Sequence, residues 1–338
     1  MNIVVDTSII AKNVANIYGG DPAFLTLRSE REEVIEKVLE QVDYIVRRYD
    51  RVGRLLYAFD SGRSFRFSLP YGELYKSCRR SLKLRYNPEG YKTMIDELKQ
   101  SIEYHGGFYV SADGIEADDI VYYLTTALHE QAKESSLIVS NDRDLQQLVC
   151  DDGEQFIAVT TYGKNHGHVV SNDFCIQTES RQNISDLDAF FFQNDETEEV
   201  NRRIIAEKMT RVDPVRLLFT KIWSGDTSDS IPPVLQYSTK SGRRQNFTEL
   251  RAEHLFDEKL TGTNRQSLFE ILKDEARTVS LIEDSCRAVS GTASQDDIAE
   301  ALRRIQLNVS YIRLHWSVYP DDVFRRLEQV CLDCLERS

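Results

Sequence analysis

The chain begins with a short apolar, β-branched run at residues 2–5, which predicts a buried strand. Further apolar runs at 54–59, 107–110, 137–139 and 155–160 predict four more strands. Between them the period changes. Val34, Val38, Val42 and Ile45 recur at helical spacing within 30–48. Helices are also expected over 70–85, 92–104 and 116–131, with a turn at Asn87-Pro88 and a short helix over 144–149. Apolar strands alternating with helices imply an α/β fold, with a mostly parallel central sheet flanked by helices. In such a sheet the site lies outside the carboxyl ends of the strands.

Beyond about residue 185 the strand signal fades. Helices are expected over 196–210, 214–223, 265–273 and 294–306, the last with Ser294 as N-cap. The polar stretches 161–183 and 236–247 predict loops. The expected organisation is therefore an α/β core over 1–185 and a mainly helical region over 186–338.

Composition narrows the class. With 338 residues, 41% of them apolar, the chain can form one large core or two ordinary ones. No stretch is long and apolar enough for a membrane span, and no basic stretch precedes the first strand. Six cysteines without paired spacing suit reduced thiols, so a cytoplasmic location is expected.

The net charge of −13 argues against nonspecific nucleic-acid binding as the sole task. Its distribution changes that picture. Residues 61–92 hold eight basic side chains (Arg63, Arg66, Lys76, Arg79, Arg80, Lys83, Arg85, Lys92) against Glu73 and Glu89. That surplus of six leaves −19 for the rest of the chain. Phe65, Phe67, Tyr71, Tyr75, Tyr86 and Tyr91 are interleaved with these charges. A basic segment with aromatic rings suits phosphates and stacked bases, although a charge run alone is more often a solvated face.

Nine acids fall in five clusters at predicted strand ends or helix starts. They are Asp6; Asp60; Glu116, Asp118 and Asp119; Asp142 and Asp144; and Asp226 and Asp229. Each cluster has a plain structural reading. Asp6 suits an N-cap, Asp60 a turn, and the acids of 116–119 and 142–144 favour helix starts. Asp226 and Asp229 flank a turn. Their joint position at one expected rim is harder to explain that way. Carboxylates crowded in one cleft need cations, and hard divalent ions prefer oxygen ligands.

In order, the motifs are Asp6; Phe59-Asp60; Tyr75-Lys76-Ser77-Cys78-Arg79; Glu116-Ala117-Asp118-Asp119; Ser140-Asn141-Asp142-Arg143-Asp144-Leu145-Gln146-Gln147-Leu148; and Gly225-Asp226-Thr227-Ser228-Asp229-Ser230-Ile231-Pro232. This order, over roughly residues 1–235, resembles the flap endonuclease and 5′-nuclease family, whose sheet is PIN-like. The likeness is to its bacteriophage branch, which includes the T-even phage ribonuclease H. The resemblance implies that Asp60, Glu116 and Asp118 hold one divalent ion, with Asp6 close by. It implies that Asp142, Asp144 and Asp226 hold a second, with Asp119 and Asp229 outside the direct ligands. Two Mg²⁺ ions are expected, with Mn²⁺ able to substitute. One ion would acidify a water, and both would stabilise charge on the phosphate. Lys76 and Arg79 would orient and polarise the scissile phosphate. Residues 62–105 would form a helical arch around a single strand.

DNA contacts are expected from Arg63, Arg66, Tyr75, Arg80, Lys83 and Arg85, and from Lys240, Arg243 and Arg244. The substrates implied are flapped, nicked or 5′-ended duplex, and primers in RNA–DNA hybrid. A single-stranded-DNA-binding protein is an implied partner. The segment after Pro232-Pro233 lacks the family's Gly-x-Gly hairpin, which puts its K⁺ site in doubt. Competing readings are a PIN-like ribonuclease, a noncatalytic DNA-structure-binding protein and, more remotely, a phosphatase. His166 and His168, Phe190–Phe192, and Cys331 with Cys334 carry no such pattern. The histidines suit a surface loop and the phenylalanines packing, and the cysteines lack two further zinc ligands.

Overall fold

The computed structural model describes residues 1–49, 51–70, 72–81, 84–162, 169–171, 209–238, 244–289 and 294–338. The chain forms two compact units. Unit 1 takes residues 1–64, 83–212 and 320–338; unit 2 takes 65–82 and 213–319. The division is not the linear one expected near residue 185, because the last helix returns to the first unit.

In unit 1 the apolar runs become β1 (Asn2–Asp6), β2 (Leu55–Phe59), β3 (Phe108–Ser111), β4 (Ser136–Val139) and β6 (Phe156–Thr160). They run parallel in the order β3-β2-β1-β4-β6. β1, β4 and β6 are buried throughout, so they read as unbroken apolar runs rather than alternating ones. The short β5 (Cys150–Asp151) pairs antiparallel with β6. β7 (Val169–Ser171) also runs antiparallel to β6, and β8 (Met209–Arg211) extends the sheet beside it. Two expectations are corrected there: β7 lies within the expected loop, and β8 takes the end of the expected 196–210 helix. The remainder of that helix, and the runs at 166–168 and 190–192, fall outside the described residues.

Helices cover both faces of this sheet. α1 (Thr7–Tyr18), α2 (Arg28–Val46) and α3 (Pro88–Tyr104) pack on one face. α4 (Ala117–Glu130) and the C-terminal α10 (Asp321–Arg337) pack on the other. α3 starts where Asn87 accepts the Gly90 N–H at 2.9 Å and Pro88 sets the first turn. It buries Gly90, Met94, Leu98 and Ile102 at a spacing of four. Gly90 must be glycine because a Cβ there would lie 2.3 Å from the Leu25 carbonyl oxygen. α3 is thus a flank of the sheet. Of the arch expected over 62–105, the described residues form 3₁₀ turns at Phe65–Ser68 and Ser77–Ser81 and the helix α3.

Unit 2 contains α5 (Pro214–Ser224), α6 (Glu249–Lys259), α7 (Arg265–Lys273), α8 (Glu275–Ala288) and α9 (Gln295–Ile312). Ser294 caps α9 as expected, accepting the Asp297 N–H at 3.2 Å. The stretch expected as a loop at 236–247 includes an antiparallel pair, β9 (Gln236–Ser238) and β10 (Arg244–Asn246). The core gathers Phe219, Trp223, Phe256, Leu268, Ile282 and Ile305. Trp223 Nε1 donates to Ser285 Oγ at 2.9 Å. Asn308 Nδ2 donates to the carbonyls of Ile222 and Pro232 at 2.7 and 2.9 Å, fastening the turn after α5. The helix expected over 70–85 is replaced by 3₁₀ turns at Phe65–Ser68 and Ser77–Ser81. Tyr75 is drawn into this core, with Phe67 packed against it.

Candidate active site

In unit 1 the strand register brings the acids to one edge. Asp6 ends β1 and pairs with Ala58, two residues before Asp60. Val5 pairs with Val139, three residues before Asp142. The carboxyl ends of β2, β1 and β4 are therefore adjacent. Strand order reverses between β1 and β4, the position where open α/β sheets place their ligands.

Serine hydroxyls and backbone N–H groups fix the carboxylates of this rim. Asp6 is buried; its Oδ2 accepts the Ser140 hydroxyl at 2.8 Å and its Oδ1 the Ile9 N–H at 3.3 Å. Ser140 Oγ also accepts the Asp142 N–H at 2.9 Å, so one hydroxyl ties Asp6 to the Asp142 loop. Asp142 Oδ1 accepts the Asp144 N–H at 2.8 Å and opens a 3₁₀ turn. Asp60 is exposed; its N–H donates to Ser8 Oγ at 2.7 Å, and its Oδ1 accepts the Ala117 N–H at 2.7 Å. Glu116 and Asp118 sit half-buried at the start of α4. Asp119 is fully buried, its Oδ2 accepting the Glu116 N–H at 3.3 Å.

The electrostatics report crowding. Burial, then the charges of Asp60 and Asp142, push Asp6 up to about 8, although Ser140 and the Ile9 N–H pull the other way. Three strand ends thus share one negative field. Their donors are all hard oxygens, and this chemistry fits a divalent cation such as Mg²⁺ or Mn²⁺.

Unit 2 holds the other two acids. Gly225, with φ of 71°, turns the chain out of α5; a Cβ there would meet the Ile231 oxygen at 2.4 Å. Asp226 and Ile231 then exchange backbone hydrogen bonds of 3.0 and 2.7 Å, closing a tight loop. Asp226 Oδ2 pairs with Lys221 at 3.0 Å, and its Oδ1 accepts the Ser228 hydroxyl at 2.6 Å and N–H at 2.8 Å. Burial pushes Asp226 up, but Lys221 and Ser228 outweigh it and hold the carboxyl below its usual range. Asp229 Oδ1 pairs with Arg79 Nη2, and the Asp229 carbonyl accepts the Lys76 N–H at 2.8 Å. Arg79 Nε also donates to the Ser228 carbonyl at 3.3 Å. Lys76 adopts a left-handed backbone, φ 53°, with its ammonium 4.9 Å from the Tyr75 ring centroid. The basic pair and the last acidic motif, about 150 residues apart in sequence, are thus one local structure.

Of the nine acids, seven belong to unit 1 and two to unit 2. Among the described residues no three His, Cys, Asp or Glu side chains are grouped so as to hold a metal ion. Carboxylates repel at contact distance, and here they are satisfied by hydroxyls, N–H groups and cations.

The expected DNA contacts fare unevenly. Arg63 and Arg85 are exposed. Arg66 is 2% exposed, with its Nε donating to the Tyr311 carbonyl at 3.3 Å. Tyr75 is 5% exposed, packed between Phe67 and Tyr311. Both are core residues of unit 2. Phe65, Tyr86 and Tyr91 also pack inside their own units. The aromatic interleaving therefore marks burial rather than base stacking. Lys83, Lys240 and Arg243 lie outside the described residues, as do the side chains of Arg80 and Arg244.

Sequence reasoning missed Ser8, Ser140, Lys221 and Ser228 as supports. Ser8 and Ser140 stand inside the acidic motifs, two residues from Asp6 and from Asp142. Lys221 carries a weaker signal, a lone cation in the last turn of the helix before Asp226. Cys331 and Cys334 are buried on α10, and burial pushes both thiols up, as suits core residues.

Comparison with known proteins agrees with this geometry. The family model for the 5′-3′ exonuclease N-terminal, resolvase-like domain matches residues 9–178. No curated protein matches the sequence. Similar solved structures include the bacteriophage T5 D15 protein co-crystallised with metal ions, at 14% identity, TM-score 0.54, covering 99% of this chain and 98% of that one. Another is the T5 D15 flap endonuclease in a pseudo-enzyme-product complex with DNA and metal ions, at 13% identity, TM-score 0.54 and the same coverage. A third is the T5 5′-exonuclease with zinc bound, at 14% identity and TM-score 0.53, covering 98% of each chain. At such identities these likenesses show the fold, and the family model, spanning half of the chain, shows the lineage. The chain belongs to the 5′-3′ exonuclease family and is a hydrolytic nuclease.

Proposed function

We propose that the protein is a divalent-metal-dependent 5′-nuclease. It acts on flapped, nicked or 5′-ended DNA and leaves 5′-phosphates, and it also takes RNA primers paired to DNA. The observation that supports this most is the shared field of Asp6, Asp60 and Asp142, from three separate strand ends. In this reading Asp60, Glu116 and Asp118, with Asp6, hold one ion, and Asp142 and Asp144 hold the other. Bound ions would supply Lewis acidity toward the phosphate. The chain's own residues do the positioning. Ser140 holds Asp6 and the Asp142 loop together, Ser8 and the Ala117 N–H hold Asp60, and Lys76 and Arg79 donate to the scissile phosphate. Replication partners such as a single-stranded-DNA-binding protein follow from the family resemblance alone.

The test is a gel assay with 5′-labelled flap, nicked and primer-hybrid substrates, with and without Mg²⁺. Mg²⁺-dependent cleavage of the flap is expected. Binding without cleavage at any Mg²⁺ concentration would instead indicate a noncatalytic DNA-structure-binding protein. Preference for single-stranded RNA over a flapped duplex would indicate a PIN-like ribonuclease.

A further inference from the structure

The β4–β6 ladder ends at Val139 and Thr160, and the Ser140 N–H then donates to the Thr160 carbonyl at 3.0 Å. Two residues past each strand the pairing resumes through a side chain. Asn141 Oδ1 accepts the Tyr162 N–H at 3.1 Å, and Asn141 Nδ2 donates to the Tyr162 carbonyl at 3.3 Å. A backbone N–H only donates and a carbonyl only accepts, so this pair of bonds fixes which way the amide faces.

Tyr162 is held in turn from its other end. It is 4% exposed and packs in the core of unit 1, and its hydroxyl accepts from Asn13 Nδ2 at 2.6 Å. Burial, and then the charge of Asp6, hold the phenol above its ordinary range, so it stays neutral. Asn13 lies on α1, about two turns beyond Asp6, which caps that helix. These contacts close a circuit within unit 1. It runs from Asp6 along α1 to Asn13, across to Tyr162, through the Asn141 amide to the Asp142 loop, and back by Ser140 Oγ to Asp6 Oδ2. Asp142 is thereby fixed relative to Asp6 from two sides, by Ser140 and by Asn141.

Divalent ions differ in what they ask of such a frame. Mg²⁺ requires near-ideal octahedral geometry at about 2.0–2.1 Å, whereas Ca²⁺ accepts about six to eight oxygens at about 2.3–2.6 Å in flexible arrangements. A frame that cannot adjust favours the more demanding ion only while its ligands are held in place. We propose that Asn141, anchored through Tyr162 to Asn13, is a positioning residue that sets the preference of the acidic rim for Mg²⁺ over Ca²⁺. The inference rests on the metal-dependent reading and names what selects its ion. Asn141 acts through Asp142, and Tyr162 and Asn13 act through Asn141.

The experiment is isothermal titration calorimetry of the full chain without DNA, with Mg²⁺ and with Ca²⁺ separately. Asn141→Ala removes both bonds to Tyr162; circular dichroism and the metal-free thermal midpoint check its fold. The Mg²⁺ dissociation constant should rise about 10- to 100-fold, and that of Ca²⁺ by less than about threefold. In flap cleavage with Mg²⁺, kcat should fall while KM for the flap holds. Tyr162→Phe keeps the ring and removes only the bond to Asn13, so it should narrow the Mg²⁺/Ca²⁺ preference in the same direction by a smaller factor. A folded Asn141→Ala chain that keeps the parent's preference, whether by no loss or by equal losses for both ions, overturns the inference and leaves the nuclease reading intact. If Asn141→Ala does not fold, Tyr162→Phe decides: an unchanged preference overturns the inference and a narrowed one sustains it. A parent that binds Ca²⁺ as tightly as Mg²⁺ also overturns it, having no preference to set. A parent that binds neither ion and cleaves no flap overturns both readings.

Discussion

The two acidic regions solve the same electrostatic problem in opposite ways. At the rim of unit 1, Asp6, Asp60 and Asp142 share a field, and hydroxyls and backbone N–H groups supply the hydrogen bonds shown around them. Burial first, and then the charges of Asp60 and Asp142, push Asp6 up to about 8. In unit 2, Asp226 and Asp229 pair with Lys221 and Arg79, and Asp226 sits below its usual range. A rim with a carboxyl held so high gains from an external cation. A loop that carries its own cations is already balanced. The difference teaches that acidic motifs of similar appearance in sequence are electrostatically unlike once folded.

Breaking each half should separate the two cases. The largest effect is expected for Asp142→Asn in unit 1. If a divalent ion supplies several kcal/mol to the reaction, cleavage should fall by at least ~10³-fold. Flap binding, read by anisotropy, should remain. Full activity in this variant would remove Asp142 from the metal assignment.

Divalent ions themselves should distinguish the rim from the loop. Mg²⁺ at a hundred times its dissociation constant should stabilise the parent by about 2.7 kcal/mol, seen as a rise in thermal midpoint. Asp60→Asn should largely abolish that rise, and in the absence of Mg²⁺ it should not destabilise, because it relieves repulsion. The acidic loop responds in the other direction. Lys221→Met leaves a part-buried Asp226 without its cation and should cost about 1–3 kcal/mol. Adding Asp226→Asn should recover part of that loss in the same melt.

Ser140→Ala removes the hydroxyl shared by Asp6 and the Asp142 loop. A cost of about 1–3 kcal/mol is expected, with kcat reduced more than binding. Unit 2 also offers the mirror case, in which cations crowd. Burial, and then the charges of Arg313, Arg265 and Lys273, push His315 to a folded pKa of about 4 against an ordinary 6.5, so the unfolded chain takes up its proton first as pH falls. Its contribution to stability is complete above about 6.5 and is lost toward pH 4. His315→Gln should flatten that part of the stability profile. An unchanged difference between parent and variant across this window would remove the crowding argument.

Much of this organisation was legible in the sequence for definite reasons. β1, β4 and β6 are buried throughout, and their unbroken apolar runs say so. The acidic motifs could be aligned to strand ends because an acid that follows such a run has few other places to go. The segment 61–92 misled, since rings between charges have the same pattern whether they stack on bases or on each other. Tyr75, Tyr86 and Phe65 took the second course. α3 was legible as a helix but not as a flank of the sheet, because its buried stripe does not say what covers it.

The sequence by itself determined the parallel sheet, the position of acids at its carboxyl edge and the family lineage. These follow from local periodicity and from the order of short motifs. Only the tertiary structure decided which acids share a field and which carry their own cations. It also drew Lys76 and Arg79 to Asp229 and returned α10 to the first unit. Those outcomes depend on contacts between residues far apart in the chain, and electrostatic energy depends on distance in space, which a linear pattern does not record.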